Sequence, residues 1–429
     1  MRVFTLSLGC AKNSVDSENL LGLLESSGAE IVDEVGDADV AIVNTCGFIQ
    51  PAVEESISAI LDLELLKEEG KLQKIAVVGC LVNRYGDELK KEFASVDIWA
   101  NAEQWDHVAS SLGLTTSTPA RGMLAETKPW SRYLKVGEGC DTLCSYCTIP
   151  SIRGRARSFP VRDLVNRAGE LASKGAKEIC LVGQDLTIYG RDIYGKPFLR
   201  ELLEELDNGL PSDVWIRLLY LHPSRINEDF IDYVVGKERI LSYLDIPIQH
   251  IDGDILRRMN RPDAEEHIMK IFRYARQADS LFALRTTIMV GFPGETEEQF
   301  GKVLDFLESA AIDRVGAFIF SPEDGTAAAK MSGQIPVEIK EQRYRRLMEL
   351  QSEISLDRQR LFEGRTLKVL VDEIDFDDEI AWGRSYREAP DVDGLVAING
   401  GNILKEGDFV EVRVTDAAEY DLFAEIARE

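Results

Sequence analysis

The loop Gly139-Cys140-Asp141-Thr142-Leu143-Cys144-Ser145-Tyr146-Cys147 carries three cysteines, with three and then two residues between them. Thiolates this close along one chain can grip three corners of a cubane iron–sulfur cluster, a cofactor normally held by four cysteines. No fourth cysteine lies nearby. The next, Cys180, sits inside an apolar run and reads as core. Three ligands would leave one iron open to a small molecule. A zinc knuckle short of a ligand is the competing reading, but a structural zinc site wants four protein ligands and no histidine is close by.

Three more cysteines, Cys10, Cys46 and Cys80, each follow a short apolar run: Val3–Leu8, Val40–Val43 and Ile75–Val78. Helical stretches, Ser14–Ser27 and Val53–Leu66, separate the runs. Strands alternating with helices build a parallel sheet, and ligands of such sheets sit beyond the carboxyl ends of the strands. All three cysteines fall at that edge. A single buried cysteine is an ordinary small hydrophobe, but three at equivalent strand ends suggest a second cluster site, also with three protein ligands.

Other groups with chemical potential are fewer. Arg153, Arg155 and Arg157 stand close together in an acidic protein. They could hold a substrate carboxylate, balance cluster charge, or belong to a solvated loop. Gln184-Asp185, His222, Gln249-His250 and Gly291-Phe292-Pro293-Gly294-Glu295 each follow an apolar run. The last stretch would let backbone approach a nucleoside. His222 and His250 are candidate site residues, with a structural histidine an equal reading. His107 and His267 read as surface positions.

The elements that must position these residues fall into three parts. Residues 1–122 read as a small parallel α/β domain. Residues 126–361 repeat β/α units, with strands at Glu178–Gly183, Val214–Leu219, Tyr243–Ile248, Ala283–Val290 and Arg314–Phe320. Such repeats suggest a partial (β/α) barrel whose strand C-termini build the site. The helix Glu338–Leu361 reads as a connector. Residues 363–429 switch to five short strands, which suggests an OB-like barrel.

At 429 residues and 45% apolar composition the chain has ample material for these cores. No apolar run is long enough to span a membrane, and Met1–Leu8 reads as a first strand rather than a signal peptide. Seven cysteines without a secretion signal fit a reducing cytoplasm. The net charge of −26 disfavours nucleic acid and favours a basic partner, or only solubility. From Arg365 onward there are seven basic and seventeen acidic residues, a poor surface for RNA.

Together the two cysteine trios and the terminal β module resemble the methylthiotransferase family of radical S-adenosylmethionine (SAM) enzymes, over essentially the whole chain. Ser7-Leu8-Gly9-Cys10-Ala11-Lys12-Asn13-Ser14-Val15-Asp16-Ser17-Glu18, Ile149–Gly154, Tyr220-Leu221-His222-Pro223 and Glu388–Gly394 resemble its RimO branch. One departure is Gln249-His250-Ile251-Asp252, where members commonly have Gly-Ser after the histidine.

The resemblance implies two 4Fe–4S clusters and SAM as cofactors. Cys140, Cys144 and Cys147 would hold the SAM-cleaving cluster, and Cys10, Cys46 and Cys80 the second. Tyr146, Gln249 and Arg285 would contact SAM. It implies a terminal TRAM module, and as partners an electron donor such as flavodoxin or ferredoxin, a sulfur donor and no membrane. The implied reaction adds a methylthio group to the β-carbon of one aspartate of ribosomal protein uS12. SAM cleavage gives a 5′-deoxyadenosyl radical that takes hydrogen from the substrate, and sulfur held at the second site is methylated and transferred. The alternatives are a MiaB-like tRNA adenosine methylthiotransferase and, from another class, a non-catalytic two-cluster electron carrier.

Overall fold

The computed structural model describes residues 1–115 and 121–427. Its first unit is a five-stranded, wholly parallel sheet of β1 (Arg2–Ser7), β2 (Glu30–Ile31), β3 (Val40–Thr45), β4 (Lys74–Gly79) and β5 (Ile98–Ala100), in the order β2-β1-β3-β4-β5. Helices cover both faces, which explains why β3 is apolar and buried along nearly its whole length. Helix α1 (Ala11–Ser26) packs Leu20, Leu23 and Leu24 on one face against Val40 and Ile42. Helices α2 (Gln50–Glu68) and α3 (Cys80–Glu92) pack Ile60, Leu63 and Leu81 on the other. The edge strands β2 and β5 were not expected from the sequence, because two and three residues carry too little periodicity to stand out.

The second unit is an open six-stranded parallel sheet, the expected partial barrel. It comprises β6 (Ser131–Lys135), β9 (Glu178–Val182), β10 (Trp215–Leu218), β11 (Ile240–Asp245), β12 (Ala283–Val290) and β13 (Arg314–Ile319), paired in that order. A two-stranded ribbon, β7 (Gly137–Glu138) with β8 (Arg157–Ser158), closes the base of the cysteine loop. Strand β11 begins and ends earlier than the sequence suggested. Pro247 has no N–H for a ladder, and beyond it only Gln249 makes an isolated bridge, to Ile288. The helix Val337–Arg360 is not a free connector. Its Leu347 is buried in the core of this unit, and Gln351 Nε2 donates to the Ile312 carbonyl at 2.9 Å.

The third unit is a closed barrel of β14 (Thr366–Asp375), β15 (Ile380–Arg384), β16 (Val396–Asn399), β17 (Phe409–Ala417) and β18 (Leu422–Ile426), in the order β14-β15-β16-β18-β17. Val369, Val371, Ile398, Val412 and Val414 fill it. It docks on the central sheet through buried charges: Glu178 of β9 accepts from Arg217 of β10 at 2.7 Å and from Arg384 of β15 at 2.5 Å. Arg384 also reaches Asp372 of β14 at 2.6 Å. Among the described residues, no helix is long and apolar enough to cross a membrane.

Candidate active site

The three N-terminal cysteines stand where three adjacent strands end. Cys10 precedes α1 after β1, Cys46 directly follows β3, and Cys80 opens α3 after β4. Gly9 lets the first two ends meet. Its φ is +95°, and a Cβ there would lie 2.8 Å from Cys46 Cβ and 3.1 Å from Cys46 Sγ. Asn13, buried in the first turn of α1, ties the ends together. Its Nδ2 donates to the carbonyls of Leu8 at 2.9 Å and Thr45 at 3.0 Å.

The second trio lies on the loop that leaves the β7–β8 ribbon. Cys140 N donates to the Gly154 carbonyl at 3.1 Å, which folds the loop back on itself. Backbone N–H groups already point at two of the sulfurs: Thr142 N to Cys140 Sγ and Ile149 N to Cys147 Sγ, both at 3.4 Å. Hydrogen bonds to sulfur are one lever by which a protein tunes an iron–sulfur cluster.

Both trios open onto one cavity of about 450 Å³, lined by all six cysteines. Arg153, on the short helix Ile149–Arg153 that follows the second trio, lines this cavity and reaches the first trio. Its guanidinium donates to Cys80 Sγ at 3.1 Å, to Asn13 Oδ1 at 2.6 Å, and to the carboxylates of Asp16 at 2.8 Å and Glu138 at 3.1 Å. Lys135 completes this buried network with contacts to Asp16 and to Glu138. The network joins α1 of the first unit to β6, β7 and the cysteine loop of the second, so the two trios cannot part without breaking it. A second bridge, Arg84 to Glu323 at 3.2 Å, links α3 to the far side of the second unit.

Polar atoms without partners face the same space. Thr142 Oγ1, Gln184 Oε1, His222 Nε2 and Gln249 Oε1 are buried, have no hydrogen bond, and belong to residues lining the cavity. Native proteins rarely bury such groups unpaired, and a ligand in the cavity would find four of them to bond. Tyr220 and Gln249 also hold left-handed backbone, with φ of 66° and 69°. Such strain in non-glycine residues gathers at functional sites. Tyr220 is pinned by its N–H to Asp245 at 3.1 Å and its carbonyl to Leu186 N at 3.0 Å. Gln249 is pinned through backbone hydrogen bonds to Thr287 and Met289, both at 2.8 Å.

Burial sets the protonation of the site. It pushes the Cys147 thiol up to about 12 and, against the pull of Arg153, the Cys80 thiol to about 11; Cys46 and Cys140 are raised for the same reason. These four thiols are therefore protonated at neutral pH, and binding of iron would release their protons. Burial, with Arg261 and Arg225 nearby, holds His222 down to about 2, so this imidazole is neutral. Burial alone would lower the Lys12 ammonium, but neighbouring Tyr220 and Cys10 hold it above its ordinary value. Three thiols in each trio, N–H···S contacts to Cys80, Cys140 and Cys147, and unpaired polar atoms beside them make a donor set of the kind that suits an iron–sulfur cluster.

The structure brings Tyr146, Gln249 and Arg153 to the cavity with the six cysteines and His222. The Tyr146 hydroxyl lies 3.5 Å from Arg261. Other expected residues lie elsewhere. Arg285 sits in the first half of β12, away from the strand C-termini, and pairs with Asp245 at 3.0 Å and Asp393 at 3.3 Å in the seam with the barrel. Arg157 is exposed and pairs with Glu103 at 2.6 Å. Arg155 lies on the outer side of the cysteine loop, with Asp141 and Asp192. His250 is fully buried behind the cavity, its Nδ1 accepting from Asp252 N at 2.9 Å. Gly291 accommodates the Lys340 side chain, not a ligand. Cys180 is core, as expected. Sequence reading passed over Lys12, Asn13, Asp16 and Arg261. Lys12, Asn13 and Asp16 were in view beside Cys10, but only the fold gives them partners.

Comparison with known proteins agrees with this geometry. Residues 2–101 match a model described as "Uncharacterized protein family UPF0004", residues 134–307 the radical SAM superfamily, and residues 364–427 the TRAM domain. The chain is 42% identical over 425 residues to "Ribosomal protein uS12 methylthiotransferase RimO" of Aquifex aeolicus (strain VF5), covering 98% of this chain and 96% of that protein. It is 42% identical over 439 residues to the protein of the same name from Carboxydothermus hydrogenoformans, covering 99% of each. Among solved structures, the radical SAM methyltransferase TsrM from Kitasatospora setae, solved with cobalamin and a 4Fe–4S cluster bound, shares the fold. Its TM-score is 0.55 at 14% identity, with 74% of each chain covered. The chain belongs to the RimO family of radical SAM methylthiotransferases.

Proposed function

We propose that this enzyme replaces a hydrogen on the β-carbon of one aspartate of ribosomal protein uS12 with a methylthio group, using two 4Fe–4S clusters and SAM. The observation that carries the reading is the single cavity shared by both cysteine trios. Cys140, Cys144 and Cys147 would hold one cluster, and Cys10, Cys46 and Cys80 the other. When bound, these groups supply the electron for SAM cleavage and the sulfur to be transferred, chemistry no side chain can provide.

The chain's own residues do the rest. Gln184, His222 and Gln249 at the strand C-termini and Tyr146 on the cysteine loop offer SAM polar and aromatic contacts. Phe48, Ile49, Ala52, Leu221 and Pro247 give the cavity apolar walls that keep water from a carbon radical. Arg153 and its carboxylates hold the trios face to face, as reacting groups must approach to about 3–3.5 Å.

Acidic residues on the exterior of the terminal barrel, among them Glu373, Asp377, Asp378, Glu406 and Glu411, are exposed. They favour a basic protein over the phosphates of tRNA, which supports uS12 over the MiaB-like alternative. A cytoplasmic setting, with a flavodoxin or ferredoxin reductant and a separate sulfur donor, fits this chemistry.

Cysteine variants test the division of labour. In the reconstituted enzyme, Cys144→Ala should abolish reductive SAM cleavage. Cys46→Ala should retain cleavage and lose methylthio transfer. Methylthiolated product from Cys46→Ala would overturn the two-cluster reading.

A further inference from the structure

Three cations line the cavity: Lys12, Arg153 and Arg261. Two are already neutralised. Arg153 is matched by Asp16 and Glu138, and Arg261 by Asp263 at 2.8 Å. Among the described residues, Lys12 has no carboxylate within ion-pair distance. Its ammonium rests instead over the ring of Tyr220, 3.8 Å from the centroid. An aromatic face is a weak and replaceable partner for a cation, whereas a carboxylate gives a charge-assisted hydrogen bond, strengthened in an apolar enclosure.

Position adds to this. Lys12 is in the first turn of α1, two residues after Cys10. Tyr220 belongs to the other unit, just beyond β10, and its left-handed backbone fixes the ring's approach. The pair therefore places a positive charge at the junction of the two units, beside both trios. A substrate carbon must sit there to meet both the radical and the sulfur.

We propose that Lys12 binds the side-chain carboxylate of the target aspartate, leaving the Tyr220 ring to do so, and thereby selects an acidic residue for modification. This rests on the reading above that the modified residue is aspartate. It also replaces the arginines expected from the sequence, since Arg153 is consumed by the network and Arg155 and Arg157 lie outside the cavity.

The test is equilibrium binding to the reconstituted full-length enzyme with SAM and without reductant. Two labelled peptides carry the uS12 target loop, one with its aspartate and one with asparagine in that place. The unsubstituted enzyme should prefer the aspartate peptide by about tenfold or more. Lys12→Met and Lys12→Gln should bring the two peptides near parity by weakening the aspartate peptide alone, and Lys12→Arg should restore most of the preference. Iron content reports whether each variant is loaded; should Lys12→Met fail to load, Lys12→Gln and Lys12→Arg carry the comparison. Neutral variants that discriminate as well as the unsubstituted enzyme would overturn the role of Lys12. An unsubstituted enzyme that binds the two peptides equally would also overturn the role of Lys12, and one that binds neither would overturn the uS12 reading itself.

Discussion

Gly9 and Cys46 touch at a distance that leaves no room for one more carbon, and Gly9 holds a φ that L-residues avoid. Gly9→Ala should therefore displace the end of β3 and the Cys46 thiol while leaving the distant loop of Cys140 intact. The expected outcome is reconstituted iron at about half the normal content, with SAM cleavage kept and methylthio transfer lost. Iron analysis beside a cleavage assay checks it, and full iron content would count against the proposed nesting of strand ends. At this scale the sequence was informative where chemistry is local. Cys140, Cys144 and Cys147 are legible because their spacing lies within one loop. Cys10, Cys46 and Cys80 are legible because each follows an apolar run. Lys12, Asn13 and Arg261 were not, because their roles depend on contacts with Tyr220, Thr45 and Asp263, which no local pattern encodes.

Elements hold the site together through buried charge. The helix that bears Arg153 is only five residues long and would be marginal alone. Arg153→Met leaves Asp16 and Glu138 with only Lys135, and removing one partner of a buried network typically costs about 3–5 kcal/mol. Thermal unfolding should show a clear fall in Tm, and Arg153→Lys should recover part of it; an unchanged Tm for Arg153→Met would contradict the clamp.

The seam between central sheet and barrel carries a pH signature. Burial alone would raise Glu178, but Arg384 and Arg217 hold it down to about 2. A carboxylate depressed in the folded state adds stability that is fully present above its unfolded value near 4.3 and is lost as pH falls toward 2. That depression corresponds to roughly 3 kcal/mol. Glu178→Gln should be less stable at pH 7 and show a flatter decline between about pH 5 and pH 2 than the unsubstituted chain. Denaturant titrations across that range decide it, and parallel declines would count against the assignment. The strands that build this seam were readable from apolar runs. The docking of the helix Val337–Arg360 was not, since its charged sequence conceals buried Arg343, Gln351 and Arg358 that are matched only by partners from other elements.

Across the whole molecule, three units converge on one chemistry. The α/β unit brings three thiols to a sheet edge. The open barrel brings three thiols and a strained rim of Tyr220 and Gln249. The terminal barrel offers an acidic exterior. Sequence order and periodicity revealed the three units, and the acidic tail pointed to a basic partner. That both trios face one cavity could not be read from the chain, because it depends on how Asp16 and Arg153, 137 residues apart, meet in space. The account stands on that convergence serving methylthio transfer to protein. The most direct test is mass spectrometry after anaerobic reconstitution with iron, sulfide, SAM and reductant, offering a peptide with the uS12 aspartate loop alongside an isopentenylated tRNA anticodon stem. The account predicts that the peptide gains the mass of one methylthio group in place of hydrogen, on its aspartate, and that the RNA is unchanged. The same gain on the RNA alone would contradict it.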